Sequence, residues 1–270
     1  MRAPLARMLA AICVAATGGV AAASAVGATG PPHATCTGGP VAAGSYASLT
    51  ITGTCFGPPT GVVEVLGNLI VGEGATLVAN YPSTGPGQPE GDANIVVGGN
   101  LRVGAGAAMI LGCAAEIGCA STTQDRVDGN LTARGALGVV LHNNAFGGSV
   151  SLSGGGGGVS CEPTGIFAAF GLPVYSDIED NTVAGSVSVS GLESCWFGML
   201  RNLVSGNVSY HDNTYADPDA SEVLQNTILG NLYCRDNLPA VQFGDSGAAP
   251  NQVRGRATGE CAFPISVPLA

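Results

Sequence analysis

A recurring phrase, Gly-(Asn/Ser)-(Leu/Val), restricts the fold of this chain more than any other feature of its sequence. Seven copies are clear, and a degenerate eighth begins at Gly255. The clear copies begin at Gly67, Gly99, Gly129, Gly148, Gly185, Gly206 and Gly230. Short spacings of 19 to 25 residues define a unit, and the longer spacings indicate the same unit with an insertion. A repeat of this length is typical of solenoids, in which each unit stacks on its neighbours.

Each copy alternates apolar and polar residues with a period of two, as a strand with one buried face does. Around Gly185, for example, Ser188 lies between the apolar residues Val187 and Val189. Two positions before the glycines stand Val65, Val97, Val127, Phe146, Val183, Val204, Ile228 and Val253. Stacked copies running in one direction can bury such rows against one another, and so short a unit has no room for a long helix as well. The repeat therefore predicts an all-β fold, a parallel β-helix or single-stranded β-solenoid.

Asparagine or serine occupies two further positions of the unit. Directly after the glycines stand Asn68, Asn100, Asn130, Ser149, Ser186, Asn207 and Asn231. Four positions before them stand Asp125, Asn144, Asn181, Asn202, Asn226 and Asn251. Asparagine tolerates the backbone angles of corners, and stacked amides can form hydrogen bonds from coil to coil. We therefore predict two side-chain ladders rather than a set of catalytic asparagines.

Two phrases resemble those of a known group of proteins. Asn181-Thr-Val-Ala-Gly-Ser-Val-Ser-Val and Asn226-Thr-Ile-Leu-Gly-Asn-Leu-Tyr-Cys look like repeats of uncharacterised exported β-helix proteins of actinobacteria. The end of the chain, from Gly230 to Cys261, is similar to their terminal coil and closing cysteine. The resemblance covers residues 61–262 and implies a right-handed parallel β-helix. It does not indicate an activity, because no activity is established for these proteins. The long insertions of this chain depart from the pattern.

The N-terminus is typical of a cleaved secretory signal peptide. Arg2 and Arg7 precede an apolar stretch, and small residues around Ala23 offer cleavage sites. A transmembrane anchor is the alternative, but the apolar run is short and interrupted near Thr17. We expect a secreted or cell-surface protein without a transmembrane anchor after cleavage. The expected division is a signal peptide at 1–25, an irregular cap at 26–60, the β-helix at 61–262 and a tail at 263–270.

Eight of the nine cysteines follow the predicted signal peptide. An even number in an exported chain favours disulfides. The simplest pairing joins sequence neighbours: Cys36 to Cys55, Cys113 to Cys119, Cys161 to Cys195 and Cys234 to Cys261. A zinc site is the alternative, but the chain lacks Cys-x-x-Cys and His-x-x-x-His spacings, so we predict neither a metal nor a cofactor.

The insertions and the charge restrict the partners. Residues 80–92, 113–124, 154–180 and 214–222 have the composition of loops. The formal net charge is -10 and all nine basic residues are arginine, which makes nucleic acid an improbable ligand. The expected partners are a cell-wall or extracellular glycan, or another surface protein.

One group of residues is a candidate acid–base site. His211-Asp212-Asn and Arg235-Asp236-Asn have the same offset in successive copies, so stacking places His211 beside Arg235 and Asp212 beside Asp236. Two carboxyl groups on one face can serve in sugar hydrolysis or elimination. The alternative, which we favour, is that Asp-Asn is a corner sequence.

The acidic stretch 177–222 offers candidate calcium ligands. Asp217, Asp219 and Glu222 could supply oxygen atoms to Ca²⁺, although their spacing matches no known calcium loop. A solvated acidic surface is the alternative.

Three classes of function are consistent with these features. We favour a non-catalytic structural or adhesion-type protein of the cell surface or the extracellular space. The second class is a polysaccharide lyase or glycoside hydrolase, by analogy with the fold alone. The third is a glycan- or calcium-binding module without turnover.

Overall fold

Short parallel strands wind around one axis in the computed structural model, as the repeat predicted. The structure describes residues 30–58, 61–79, 94–113, 125–245 and 247–269. From Pro31 onward these residues belong to one unit, a parallel β-helix with a continuous apolar interior.

Within the described residues, three long parallel sheets account for most strands, which are numbered in chain order. Sheet A consists of β1 (His33–Cys36), β4 (Ser48–Ile51), β7 (Leu69–Val71), β10 (Leu101–Val103), β13 (Leu131–Arg134), β16 (Val150–Ser153), β19 (Val187–Ser190), β23 (Val208–His211), β27 (Leu232–Arg235) and β29 (Ala257–Gly259). Sheet B consists of β2 (Gly39–Pro40), β5 (Thr54–Phe56), β8 (Thr76–Ala79), β11 (Ala108–Leu111), β14 (Gly138–His142), β17 (Tyr175–Glu179), β21 (Trp196–Leu200) and β25 (Glu222–Leu224). Sheet C consists of β3 (Gly44–Tyr46), β6 (Val62–Val65), β9 (Asn94–Val97), β12 (Arg126–Val127), β15 (Ala145–Phe146), β18 (Thr182–Val183), β22 (Leu203–Val204), β26 (Thr227–Ile228), β28 (Asn251–Val253) and β30 (Ser266–Pro268). A separate pair is formed by β20 (Glu193–Ser194) and β24 (Thr214–Tyr215).

The register of the sheets matches the alignment of the repeat. In sheet C, Val97 lies opposite Val127, and Val183 lies opposite Val204. The whole row two positions before the glycines is buried in the core. The apolar rows are therefore stacked, because only neighbouring coils can cover a strand that has a single apolar face.

Both predicted ladders are present. In the inner ladder, the backbone N–H of Asn181 donates to Oδ1 of Asn202 at 2.9 Å, and that of Asn202 donates to Oδ1 of Asn226 at 3.0 Å. In the outer ladder, the N–H of Asn130 donates to Oδ1 of Asn100 in the preceding coil at 2.9 Å. The inner amides thus accept from the preceding coil and the outer amides from the following one. Side chains therefore bind each coil to its neighbours in both directions along the axis.

Three of the predicted disulfides are confirmed within the described residues. They join Cys36 to Cys55, Cys161 to Cys195 and Cys234 to Cys261. The fourth predicted bond involves Cys119, which lies outside the described residues. Disulfides of this kind are typical of proteins that fold in an oxidising compartment.

The β-helix is longer at both ends than the sequence predicted. Residues of the expected cap form β1 to β5, and β1 pairs with β4 in sheet A. The expected tail contains β30, whose Ser266 lies opposite Asn251 of β28. These segments lack the glycine phrase, but their backbone N–H and C=O groups can still pair with the edge strands of the sheets. The parallel sheets therefore extend beyond the repeat at both ends.

The insertion 154–180 is not only a loop. It contains a short helix, α1 (Gly165–Phe170), and the strand β17. Phe167 of α1 packs against Val140 and Ile110, which lie on the outer face of sheet B. The predicted signal peptide, residues 80–92 and residues 114–124 lie outside the described residues. In the described part of the chain, no helix has the length and hydrophobicity needed to cross a lipid bilayer.

Candidate functional site

The four candidate acid–base residues lie on neighbouring coils. His211 ends β23 and Arg235 ends β27, and the two are directly opposite in sheet A. Asp212 and Asp236 follow them with backbone φ angles of 57° and 55°. Aspartate is one of the few residues that adopt this left-handed conformation readily, so both carboxylates lie where the chain turns out of the sheet.

These four side chains form a group of hydrogen bonds and ion pairs at the surface, in which His211 is half-buried. His211 Nδ1 lies 2.6 Å from Asp212 Oδ2, and Arg235 Nη1 donates to Asp236 Oδ2 at 2.6 Å. Arg235 also lies 3.7 Å from Asp212 and 5.9 Å from the centre of the Tyr233 ring. The side chains of Asp212, Asp236 and Arg235 are 50%, 61% and 47% exposed. Exposed pairs of this kind contribute little to stability.

The charges in this group do not favour acid–base catalysis. The hydrogen bond with His211 lowers the pKa of the Asp212 carboxyl, and the charge of Arg235 lowers it further. A glycosidase needs one carboxyl group with a raised pKa to act as the acid. Asp212 is shifted in the opposite direction, so it is suited to accept hydrogen bonds but not to deliver a proton.

The three candidate calcium ligands do not form one ligand set. Asp217 and Asp219 share a turn, in which the N–H of Asp219 donates to Oδ1 of Asp217 at 2.9 Å. Glu222 lies in β25 and is 2% exposed. Among the described residues, no group of three or more His, Cys, Asp or Glu side chains is placed to hold a metal ion.

A second polar cluster, which the sequence pattern did not predict, lies on the outer face of sheet B. His142 at the end of β14 lies opposite Glu179 at the end of β17, and Asp177 lies two residues before Glu179. His142 Nε2 is 2.8 Å from Asp177 Oδ2. Arg201, just after β21, donates from Nη2 to Glu179 at 2.8 Å and pairs with Asp180 through Nε at 2.8 Å. We name these five residues the sheet B cluster.

The strand period explains this arrangement. Ile178 points into the core and is fully buried, so Asp177 and Glu179 on either side of it point outward. The sequence did contain a signal for this strand. An apolar residue stands five positions before several members of the apolar row that precedes the repeat glycines: Leu141, Ile178, Met199 and Val223. The acidic run Asp177-Ile-Glu-Asp180 concealed it, because such a run has the composition of a loop.

Three of the five residues of the cluster are buried although they are ionisable, while Arg201 and Asp180 reach the surface. His142, Asp177 and Glu179 are only 1%, 3% and 7% exposed. Burial, followed by the charge of Asp177, raises the pKa of Glu179 to about 7, while His142 and Arg201 oppose the shift. Glu179 can therefore exchange a proton near neutral pH, but its buried side chain is hardly accessible to a substrate. The cluster is better suited to respond to pH than to catalyse a reaction.

We predict that Glu179→Gln removes a pH dependence of stability. The pKa of Glu179 is raised from 4.5 to about 7 in the folded protein, so the unfolded chain releases this proton first as the pH rises. The free energy of unfolding should therefore fall by about 3 kcal/mol as the pH rises from 4.5 to about 7. The Glu179→Gln variant should match the wild type at pH 4.5 and exceed its free energy of unfolding at pH 8.

Urea unfolding at the two pH values measures this difference. The charges that act on Glu179 are those of Asp177, His142 and Arg201, and all three residues are retained in the variant. Glu193→Gln, at an exposed position of β20, is the matched control and should leave the pH profile unaltered. A gain for Glu179→Gln that is the same at both pH values would contradict the assignment.

No protein-family model, curated protein or solved structure matches this chain. The resemblance to actinobacterial β-helix proteins therefore stays a prediction, and function is inferred from the residues themselves.

Proposed function

We propose that this protein is an exported, non-catalytic β-solenoid that serves as a structural or adhesion-type protein at the cell surface or outside the cell. The predicted signal peptide supports export, and the three described disulfides are consistent with it.

The continuous column of coils is the observation that carries this proposal. Sheet A and sheet C each have ten strands in register in the described residues. Ten strands at ~4.8 Å per step extend for about 43 Å along the axis. Both amide ladders and the disulfides join the coils, so the column is a stiff rod with long, regular outer faces.

The enzyme alternative receives less support from the charged groups. The exposed group around Asp212 is held in ion pairs, and the pKa of Asp212 is lowered. In the sheet B cluster, Glu179 has the raised pKa of an acid, but its side chain is buried. The acid of a glycoside hydrolase needs an accessible carboxyl group with a raised pKa, and in these two groups the accessibility and the raised pKa lie on different faces.

A depolymerisation assay tests the non-catalytic assignment. Acidic and neutral polysaccharides are incubated with the wild type and with Asp212→Asn, and new reducing ends and unsaturated ends are measured. We expect no release above the buffer control from either protein. Cleavage by the wild type that is reduced in the Asp212→Asn variant would overturn the proposal in favour of an enzyme.

Fractionation of cells that express the full chain tests the assignment to the outside of the cell. We expect the processed protein in the medium or on the surface, where it is accessible to added protease. A processed chain found only in the cytoplasm would overturn export.

A further inference from the structure

A groove on the outer face of sheet A is separate from both charged groups described above. It has a volume of about 740 Å³ and is lined by residues of β7, β10 and β13, among them Ile70, Arg102 and Thr132. This volume lies within the ordinary range for ligand sites, roughly 300–1,000 Å³.

Two glycines are among the residues that line the groove. Gly72 and Gly104 directly follow β7 and β10 and leave the backbone uncovered at this level. A Cβ atom on Gly104 would lie 2.9 Å from the backbone nitrogen of Glu73 in the preceding coil. Glycine is therefore required at position 104 by the close approach of two coils, and neither glycine adds side-chain atoms to the wall of the groove.

Two arginines give the groove a positive character. Arg102 lies opposite Thr132 in sheet A, and Arg134 is two residues further along β13. Both side chains are exposed, and neither forms an ion pair with any described residue, whereas Arg126, Arg201 and Arg235 each pair with a carboxylate. Glu73 also lines the groove, so two guanidinium groups and one carboxylate leave a local charge of +1 on a chain of net charge -10.

A row of hydroxyl groups, one from each coil, runs along sheet A next to the groove. Thr132 lies opposite Ser151, Ser151 opposite Ser188, and Ser188 opposite Ser209. These hydroxyl groups are partly exposed and repeat at ~4.8 Å, close to the length of one sugar residue in an extended chain. The row continues to Tyr233, which is 40% exposed and offers an aromatic surface, and then to Thr258 of β29.

We propose that this face binds an acidic polysaccharide lengthwise, with Arg102 and Arg134 binding its carboxylates in the groove. Guanidinium groups bind carboxylates through paired hydrogen bonds, and the hydroxyl row can bind the sugar hydroxyls. The net negative charge of the chain disfavours a densely charged polyanion such as nucleic acid, but it tolerates a sugar chain whose charges are spaced by hydroxyl groups. This inference rests on the proposed function, because a non-catalytic surface protein retains its ligand intact.

Affinity electrophoresis and calorimetry with alginate, a linear uronic acid polymer, test the proposal. The wild type should bind alginate, more weakly as salt is raised, and should not bind a neutral linear glucan. The double variant Arg102→Gln/Arg134→Gln should bind at least about tenfold more weakly, as expected when charge-assisted hydrogen bonds are lost. Arg254 is an exposed arginine that follows β28. Arg254→Gln removes one charge of the same sign elsewhere and should bind as the wild type does.

Each contrary outcome has a separate meaning. Equal binding by the double variant, equal binding of the neutral glucan or no binding by the wild type would overturn the inference and leave the proposed function standing. Tight binding of the monomeric uronic acid alone would assign a carboxylate site but refute the lengthwise polymer. Cleavage of alginate would instead refute the non-catalytic function. Thermal unfolding of each variant checks that it is folded, as expected for exposed arginines.

Discussion

Replacing Asn202 by alanine should destabilise the protein by about 4 kcal/mol, because two buried backbone groups lose their partners. The Asn202 side chain is 1% exposed. Its Oδ1 accepts the backbone N–H of Asn181 at 2.9 Å, and its Nδ2 donates to the carbonyl of Ile178 at 2.6 Å. Water cannot replace either bond inside the column, so each group retains its full desolvation cost. A loss of this size is a large part of the stability of a typical protein.

Asn207→Ala in the same coil is the matched control. Asn207 belongs to the outer ladder and is exposed, although its Oδ1 accepts the N–H of Asn231 at 2.8 Å. Water can satisfy that N–H in the variant, so we expect a loss of about 1 kcal/mol or less. Urea unfolding of the oxidised proteins, compared at constant m-value, measures both losses. Equal losses of unfolding free energy in the two variants would show that burial does not determine how much the inner ladder contributes to stability.

Replacing Gly206 by alanine should destabilise the protein by about 3 kcal/mol through steric overlap between coils. An added Cβ would lie 2.5 Å from the carbonyl oxygen of Gly185 and 2.5 Å from Oγ of Ser186. That carbonyl cannot move away freely, because it accepts the N–H of Gly206 at 2.9 Å. The glycine of the repeat is thus required by the close approach of successive coils.

Ser205→Ala introduces the same side chain one residue earlier, at an exposed position, and should change the free energy of unfolding by less than about 0.5 kcal/mol. Thermal and urea unfolding of the two variants provide the comparison. A Gly206→Ala protein as stable as Ser205→Ala would mean that the coils separate easily at this column, which would contradict the stiff rod proposed above.

The candidate acid–base residues show how far spacing alone can reach. The common offset of His211 and Arg235 predicted that they are neighbours, and they lie opposite each other in sheet A. Their chemistry was not predictable in the same way. The exposure of Asp212 and the direction of its pKa shift depend on where the turn directs each side chain, and no repeat period specifies that.

The sequence by itself determined the stacked apolar rows and the two ladders, because a period of two and a repeating coil are local properties that neighbouring coils copy. It only suggested the disulfide pairs, of which the structure confirms three. Only the tertiary structure decided that His142 and Asp177, 35 residues apart in sequence, meet in a buried cluster. The long insertion between them hides their register, and their burial and the resulting pKa of Glu179 depend on what packs around them. The groove between Gly72, Gly104 and Arg134 likewise required the structure, since a concave surface is a property of several coils together.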